Sequence, residues 1–159
     1  MRLYPNKSAR ENAARMLPRL AQELLDAGDR AIARGYAAKR LHPLRILSKR
    51  FRYSLEFFRP CFGPAMDSYL TQVKDLQQSL GELNDCYSST AFYQRLSLNQ
   101  DKSLPAVLQH REEQLLEKFR AQWRQGFQHD PWRQRLLRYL AHPLRRRKGE
   151  AHGKSSMSR

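Results

Sequence analysis

Apolar residues recur at alternating intervals of three and four between Met66 and Tyr87, and this spacing is the strongest constraint on the fold. At about 100° per residue they fall within an arc of about 100°, the width of a buried helix face. A helix over about residues 65 to 96 is therefore predicted, and it must pack lengthwise on other helices. The stripe consists of Met66, Tyr69, Val73, Leu76, Leu80, Leu83 and Tyr87.

The beginning of the chain predicts a further helix, and no run alternates Val, Ile and Thr as a strand would. Ser8 is predicted to cap this first helix, which Pro18 either kinks or divides and which ends near Gly28. Residues 28–41 are then expected to form a short connector or helical turn.

Prolines mark the starts of the later helices. His42 precedes Pro43 and is the predicted N-cap of a helix that runs to about residue 59, before a break at 60–64. The fourth and fifth helices are predicted to open at Ser103 and at Asp130, each close to a proline. The fold class expected is all-α, an antiparallel bundle of four to five helices.

Apolar periodicity stops after Leu144. Residues 145–159 are basic and polar, so they cannot bury an apolar face, and a disordered basic C-terminal tail is predicted. A length of 159 residues fits one domain. The predicted organisation is a helical bundle over 1–144 followed by the tail at 145–159.

Thirty Lys and Arg residues against fifteen Asp and Glu residues give a formal net charge of +15. Such an excess predicts a polyanionic partner: nucleic acid, an anionic membrane surface, or a phosphate polymer or metabolite. No stretch approaches the roughly 18 apolar residues of a membrane span, and the N-terminus lacks the apolar region of a signal peptide. We therefore expect a cytoplasmic protein without a membrane span.

The segment 41–58 predicts a helix with two different faces. Its apolar seam falls within an arc of about 80°, and a row of mostly cationic residues lies opposite, about 20 Å long. Like charges one turn apart repel each other, so an anion bound along the row would stabilise it. The seam is Leu44, Leu47, Phe51, Leu55 and Phe58, and the row is His42, Arg45, Lys49, Arg52, Tyr53 and Glu56.

The residue types in this row suit phosphate. Arginine recognises oxygen pairs with two parallel donors, lysine supplies a mobile point charge, and Tyr53 offers a hydroxyl donor. As an N-cap, His42 would sit where free backbone N–H groups and the helix dipole attract an anion. Without other information, the row also fits a plain solvated helix face.

The spacing His-x-x-Arg-x-x-x-Lys-Arg-x-Arg-Tyr-x-x-Glu over residues 42–56 resembles the signature of the CHAD domain, the conserved-histidine α-helical domain. A second element at 76–85, Leu-Gln-x-x-Leu-Gly-x-x-x-Asp, is similar to another helix of that family. Together the two motifs cover about residues 40–96. The resemblance implies a helical, non-catalytic module that binds inorganic polyphosphate through a basic surface, with association with polyphosphate granules.

The resemblance, together with the helix geometry, defines a set of site residues. Glu56 and Asp85 are expected to support or orient the basic residues, Asp85 because its family counterpart would do so. Lys74 joins the site because it projects with Gln78, Gly81 and Asp85 from the polar face of the third helix. The expected polyphosphate-binding residues are His42, Arg45, Lys49, Arg50, Arg52, Tyr53 and Lys74.

CHAD domains are usually longer and carry two such motifs, whereas residues 1–40 contain no first copy. The chain therefore resembles the second, C-terminal half of the family. Either a homodimer rebuilds a two-sided basic cavity, or the chain presents an open half-site.

No pattern in the chain predicts an enzyme, a cofactor or a metal site. There is no phosphate-binding glycine loop after a strand, and His110 and Glu113 lack the companions that a helical metal site needs. Cys61 and Cys86 are expected to be reduced core thiols. Two alternatives to polyphosphate stay open: a nucleic-acid-binding protein that uses the same face and the tail, and an adaptor that docks an acidic protein.

Overall fold

The structure is a computed structural model that describes residues 3–33, 38–95 and 103–144. Within these ranges the chain forms five α-helices and one 3₁₀ turn, and no strand. The all-α prediction is confirmed, while the tail at 145–159 lies outside the described residues. The helices are α1 Ala9–Ala33, α2 Ala38–Phe57, α3 Ala65–Arg95, α4 Ser103–Gly126 and α5 Asp130–Ala141, with the 3₁₀ turn at Arg59–Cys61.

The first helix begins where Ser8 predicts it. The Ser8 hydroxyl accepts a bond from the Glu11 N–H at 3.3 Å, and the Glu11 carboxylate accepts one from the Ser8 N–H at 2.9 Å. This reciprocal capping satisfies N–H groups that the first turn leaves free. The predicted end near Gly28 is wrong, because α1 continues through both Pro18 and Gly28 to Ala33.

The second helix begins earlier than the sequence suggested. Because α2 starts at Ala38, His42 and Pro43 lie inside the helix, and His42 is not its N-cap. The connector predicted over 28–41 is correspondingly wrong, since α1 and α2 occupy most of that range. A proline this close to a helix start removes one hydrogen bond to the preceding turn, and the helix persists through it.

The helices α2 and α3 lie side by side in antiparallel directions. Glu56 near the end of α2 pairs with Lys74 near the start of α3, while Arg45 shares a cavity with Asn84 further along. The turn between them is held by Arg59, whose Nε and Nη2 atoms donate to the Asp67 carboxylate at 2.6 and 2.7 Å. This turn sets the register of the two helices that carry the predicted site.

The core fills the space between α2 and the other helices: α1 and α3 flank α2, α5 packs on α1, and α4 packs on α3. Both predicted apolar faces are buried or nearly so. Leu44, Phe51, Leu55 and Phe58 of α2 are buried with Leu47 half-buried, and Tyr69 and Tyr87 are the half-buried members of the α3 stripe. Because the seam is buried, the opposite side of α2 faces solvent and the edge of α3.

Candidate functional site: a basic face on α2 and α3

The predicted row lies on the side of α2 that borders α3. Arg45, Lys49 and Arg52 are half-buried, while His42 and Tyr53 are exposed. Long basic side chains commonly bury their apolar stems in this way and keep the charged ends near water. The cationic ends therefore line an accessible edge about 10 Å long, within a row of about 20 Å from His42 to Glu56.

Glu56 connects the row to α3. Its Oε1 atom lies 3.7 Å from Nη1 of Arg52 and 3.7 Å from Nζ of Lys74. One carboxylate thus stands between two cations from different helices, which is the arrangement expected of an orienting residue. Because two cations share one anion, the group keeps a net positive charge.

Arg52 is held by a second contact besides Glu56. Its guanidinium carbon lies 4.5 Å from the centroid of the Tyr53 ring, a cation–π arrangement. The Nε atoms of Arg52 and Arg45 are buried and have no hydrogen-bond partner among the described residues. Buried donors normally have a partner, so turning these two side chains outward to an acceptor would break no hydrogen bond at Nε.

A cavity of about 240 Å³ opens at the N-terminal end of the row. His42 and Arg45 line it from α2, and Asn84, Tyr87 and Ser88 line it from α3. Burial, followed by the charge of Glu112 and a hydrogen bond with it, raises the pKa of Tyr87 to about 12, so its hydroxyl stays protonated. The cavity therefore offers cationic and amide groups to phosphate oxygens, while the Ser88 hydroxyl donates to the Asn84 backbone carbonyl at 2.8 Å and the Tyr87 hydroxyl bonds to Glu112.

Sequence reasoning missed the α3 side of this cavity. Tyr87 was assigned only to the apolar stripe, and Asn84 and Ser88 were not assigned to the site. Their spacing of four places Asn84 and Ser88 on one helix face, which is a readable signal. The α2 residues that lie opposite Asn84 and Ser88 depend on the register between α2 and α3. The pattern of a single helix does not contain that information.

Arg50 does not lie with the other predicted site residues. It projects toward α1, where its Nη1 atom lies 3.6 Å from Glu23 Oε2. There it lines a separate groove of about 190 Å³ with Arg15 and Arg19. The motif therefore supplies basic residues to two sides of α2.

Asp85, expected to orient the basic residues, does not contact them. Asp85 is exposed and forms no ion pair with any residue that the structure describes, whereas Glu56 contacts two of the cations. A Cβ atom on Gly81 would meet nothing within 4 Å, so no neighbouring helix approaches closely there. His42 reaches the site by its side chain alone, since it lies within α2.

Positive charge exceeds negative charge at the site. Neither Arg45 nor Lys49 forms an ion pair with a described residue, and the one carboxylate in the row, Glu56, is shared by Arg52 and Lys74. Over 3–33, 38–95 and 103–144, no three His, Cys, Asp or Glu side chains form a cluster that could hold a metal ion. Chemically, this face can bind an extended anion by charge and by hydrogen bonds.

No helix in the described ranges is long and apolar enough to cross a membrane. No curated protein and no solved structure gives a significant match to the chain. The sequence model of the CHAD domain matches residues 2–94, more than half of the 159 residues. The matched range contains both motifs, at 42–56 and 76–85, and it also contains α1, which neither motif reaches. The chain therefore belongs to the CHAD domain family.

Proposed function

We propose that the protein binds inorganic polyphosphate, without turning it over, on the basic face formed by His42, Arg45, Lys49, Arg52, Tyr53 and Lys74. The observation that carries the proposal is the lack of anions for Arg45 and Lys49 among the described residues, together with the unpartnered Nε donors of Arg45 and Arg52. A bound polyanion would supply acceptors to the charged ends, and to the Nε donors once the arginine side chains turn outward, and it would relieve the repulsion along the row. Membership in the CHAD family supports the same ligand.

The shape of the face favours a polymer over a single phosphate. The cations Arg45, Lys49 and Arg52 extend over about 10 Å of the α2 axis, and Lys74 continues them beside Glu56, so a chain of phosphates can make several contacts at once. Arginine guanidinium groups pair with two oxygens, lysine ammonium groups adapt to shifting positions, and the Tyr53 hydroxyl donates one bond. Binding without turnover fits a row whose only carboxylate, Glu56, is engaged with two cations.

The proposal extends to a homodimer. One face leaves the other side of a bound chain open to solvent, so a second copy can approach the same polyphosphate. The charge of +15 on each copy opposes association in the absence of ligand. Sedimentation should therefore show dimers with polyphosphate, and a strict monomer at tens of micromolar protein with the ligand present would remove the dimer from the proposal.

The cellular part of the proposal is a cytoplasmic protein at polyphosphate granules. A fluorescent fusion should coincide with granules stained for polyphosphate, and it should disperse when the polymer is enzymatically degraded. A diffuse signal without enrichment at the granules would overturn the proposed location, but not the proposed binding of polyphosphate.

The binding test is a matched pair of triple variants. One replaces Arg45, Lys49 and Arg52 by alanine, and the other replaces Arg124, Arg135 and Arg138, exposed residues of α4 and α5. Each lowers the formal net charge by three, from +15 to +12. Polyphosphate affinity should fall at least about tenfold in the first variant and much less in the second. Equal losses would mean that total charge, rather than this face, binds the polymer.

Competition separates polyphosphate from nucleic acid as the preferred ligand. Labelled polyphosphate is displaced with tRNA or duplex DNA at matched phosphate concentration and about 150 mM salt. We expect unlabelled polyphosphate to compete at lower concentration than either nucleic acid. If duplex DNA or tRNA competed more strongly, nucleic acid would replace polyphosphate as the proposed ligand. If polyphosphate, tRNA and duplex DNA all bound weakly, the face would instead be assigned to docking an acidic protein.

A further inference from the structure

An exposed apolar stripe runs along α2 beside the basic row. Ile46, Tyr53 and Phe57 are 51%, 54% and 64% exposed. At about 100° per residue the three lie within an arc of about 40°, so they share one face of the helix. Single exposed apolar residues are ordinary, but three on one face within three turns mark an interaction surface.

Cations border the stripe on both sides. Lys49 and Arg52 belong to the basic row, and Arg50 lies on the side that faces α1. The Arg52 guanidinium already stacks on the Tyr53 ring at 4.5 Å. Phe57 meets Phe58 edge-on, with the ring centroids 4.9 Å apart, so its own ring is held while staying largely exposed.

Polyphosphate does not account for these rings, because it has no apolar surface to bury on them. A second copy of this chain would bring like charges together along both edges of the stripe. A membrane surface would require a broader apolar face than one isoleucine and two rings. A ligand with flat apolar groups and a regularly spaced negative backbone fits the stripe and its borders at once.

We propose that this face binds single-stranded nucleic acid, with bases stacked on Tyr53 and Phe57 and phosphates on Lys49, Arg50 and Arg52. The two rings are one helical turn apart, about 6 Å along the axis, which is a separation that neighbouring unstacked bases can span. Bases in a duplex are stacked inside the helix and cannot reach the rings. The activity is separate from polyphosphate binding, although the two ligands share cations.

The test compares two strands that differ only in their bases. Fluorescence anisotropy measures binding of an oligothymidylate of eight nucleotides and of an abasic strand with the same number of phosphates. The wild-type chain should bind the base-bearing strand at least about fivefold more tightly, and Phe57→Ala should abolish most of that preference. Phe57→Leu keeps an apolar side chain but removes the ring, so it should lose the preference as well.

The control is Phe92→Ala. Phe92 is also 64% exposed, but it lies on α3, about 27 Å along that helix from Lys74. It should keep the wild-type preference, and Phe57→Ala should keep wild-type polyphosphate affinity and helical circular dichroism. Equal binding of base-bearing and abasic strands by the wild-type chain would overturn the proposal. So would a Phe57→Leu variant that retains the preference, or a Phe57→Ala variant whose ligand-free sedimentation changes from dimer to monomer.

Discussion

The indole ring of Trp123 occupies the space that a Cβ atom on Gly28 would need. Gly28 lies inside α1, five residues before its end, where glycine is otherwise unfavourable, and Trp123 is fully buried on α4. The indole is fixed by its Nε1–H, which donates to Asp29 Oδ1 at 3.2 Å, and by stacking on Phe127. Glycine at this position is thus a condition for docking α4 on α1.

We expect Gly28→Ala to destabilise the protein by about 1–3 kcal/mol, since the added methyl group overpacks a ring that cannot move freely. Urea unfolding followed by circular dichroism measures the change. An unchanged or increased free energy of unfolding would mean that the indole moves aside at little cost.

Gly81→Ala should have the opposite sign. A Cβ atom there meets nothing within 4 Å, and alanine restricts the unfolded chain more than glycine does. We expect the free energy of unfolding to rise by about 0.5–1 kcal/mol. A decrease measured in the same urea experiment would show that the open space above Gly81 is needed by the fold.

Asp29 and Arg133 join α1 to α5 by two hydrogen bonds, Nη1 to Oδ2 at 2.7 Å and Nη2 to Oδ1 at 2.6 Å. Burial acts to raise the pKa of Asp29, but the hydrogen bonds from Arg133 and Trp123 and the charge of Arg133 outweigh it. The pKa of Asp29 is therefore lowered from its ordinary value. Allowing for solvent screening at a partly exposed carboxylate, we expect Asp29→Asn to cost about 1–2 kcal/mol at neutral pH.

The pH dependence of this cost follows from the direction of the shift. Because the folded pKa lies below the unfolded value of about 3.9, the contribution is complete above that value and is lost as the pH falls through the folded pKa. Unfolding free energies of wild-type and Asp29→Asn proteins should therefore converge in acid. Asp85→Asn removes the same charge at an exposed position without an ion pair among the described residues, so it should cost much less than Asp29→Asn at neutral pH. If the difference in unfolding free energy between Asp29→Asn and the wild-type protein did not change with pH, the effect would come from the shape of the side chain and not from its charge.

The helix pattern and its punctuation predict most of the fold. The bounds of α3 follow from the stripe that starts at Met66, and α4 and α5 open where proline lies near Ser103 and Asp130. The errors fall near Gly28, which lies inside α1, and at Pro43, because a proline removes only one helix hydrogen bond and neighbouring packing can offset that loss. Local sequence patterns thus predict which helices form more reliably than the residues at which each helix begins and ends.

The site was predictable on one helix and not between helices. The angles along α2 separate Arg45 and Lys49 from the buried seam, as the structure shows. They do not reveal that Arg50 turns to Glu23 on α1, or that Asn84 and Ser88 face His42. These relationships depend on how α1 and α3 pack beside α2, which the side chains of all three helices determine together.

Deleting residues 145–159 tests the contribution of charge that lies outside the α2 and α3 face. The segment carries six Lys and Arg residues and one Glu, so the formal net charge falls by five. Affinity for polyphosphate and for duplex DNA should fall by similar factors, and the salt dependence of both should weaken. Filter binding at several salt concentrations measures these slopes. Complete loss of polyphosphate binding would place the site in this segment instead of on α2 and α3.

Glu56→Gln tests whether the carboxylate between Arg52 and Lys74 limits binding. In the wild-type protein a bound phosphate competes with Glu56 for both cations, each 3.7 Å from its Oε1 atom. The amide removes this competition and the repulsion of the ligand, so polyphosphate affinity should rise by up to about fivefold. Isothermal titration calorimetry at about 150 mM salt measures the change.

The matched control is Glu23→Gln, which removes the carboxylate beside Arg50 and changes the net charge equally. Since Arg50 projects toward α1, this variant should gain much less affinity than Glu56→Gln. Equal gains would place Arg50 in the polyphosphate site with the row. A loss of affinity in Glu56→Gln would instead show that Glu56 serves the ligand by holding Arg52 and Lys74 in position, and that this orienting effect exceeds its competition with phosphate.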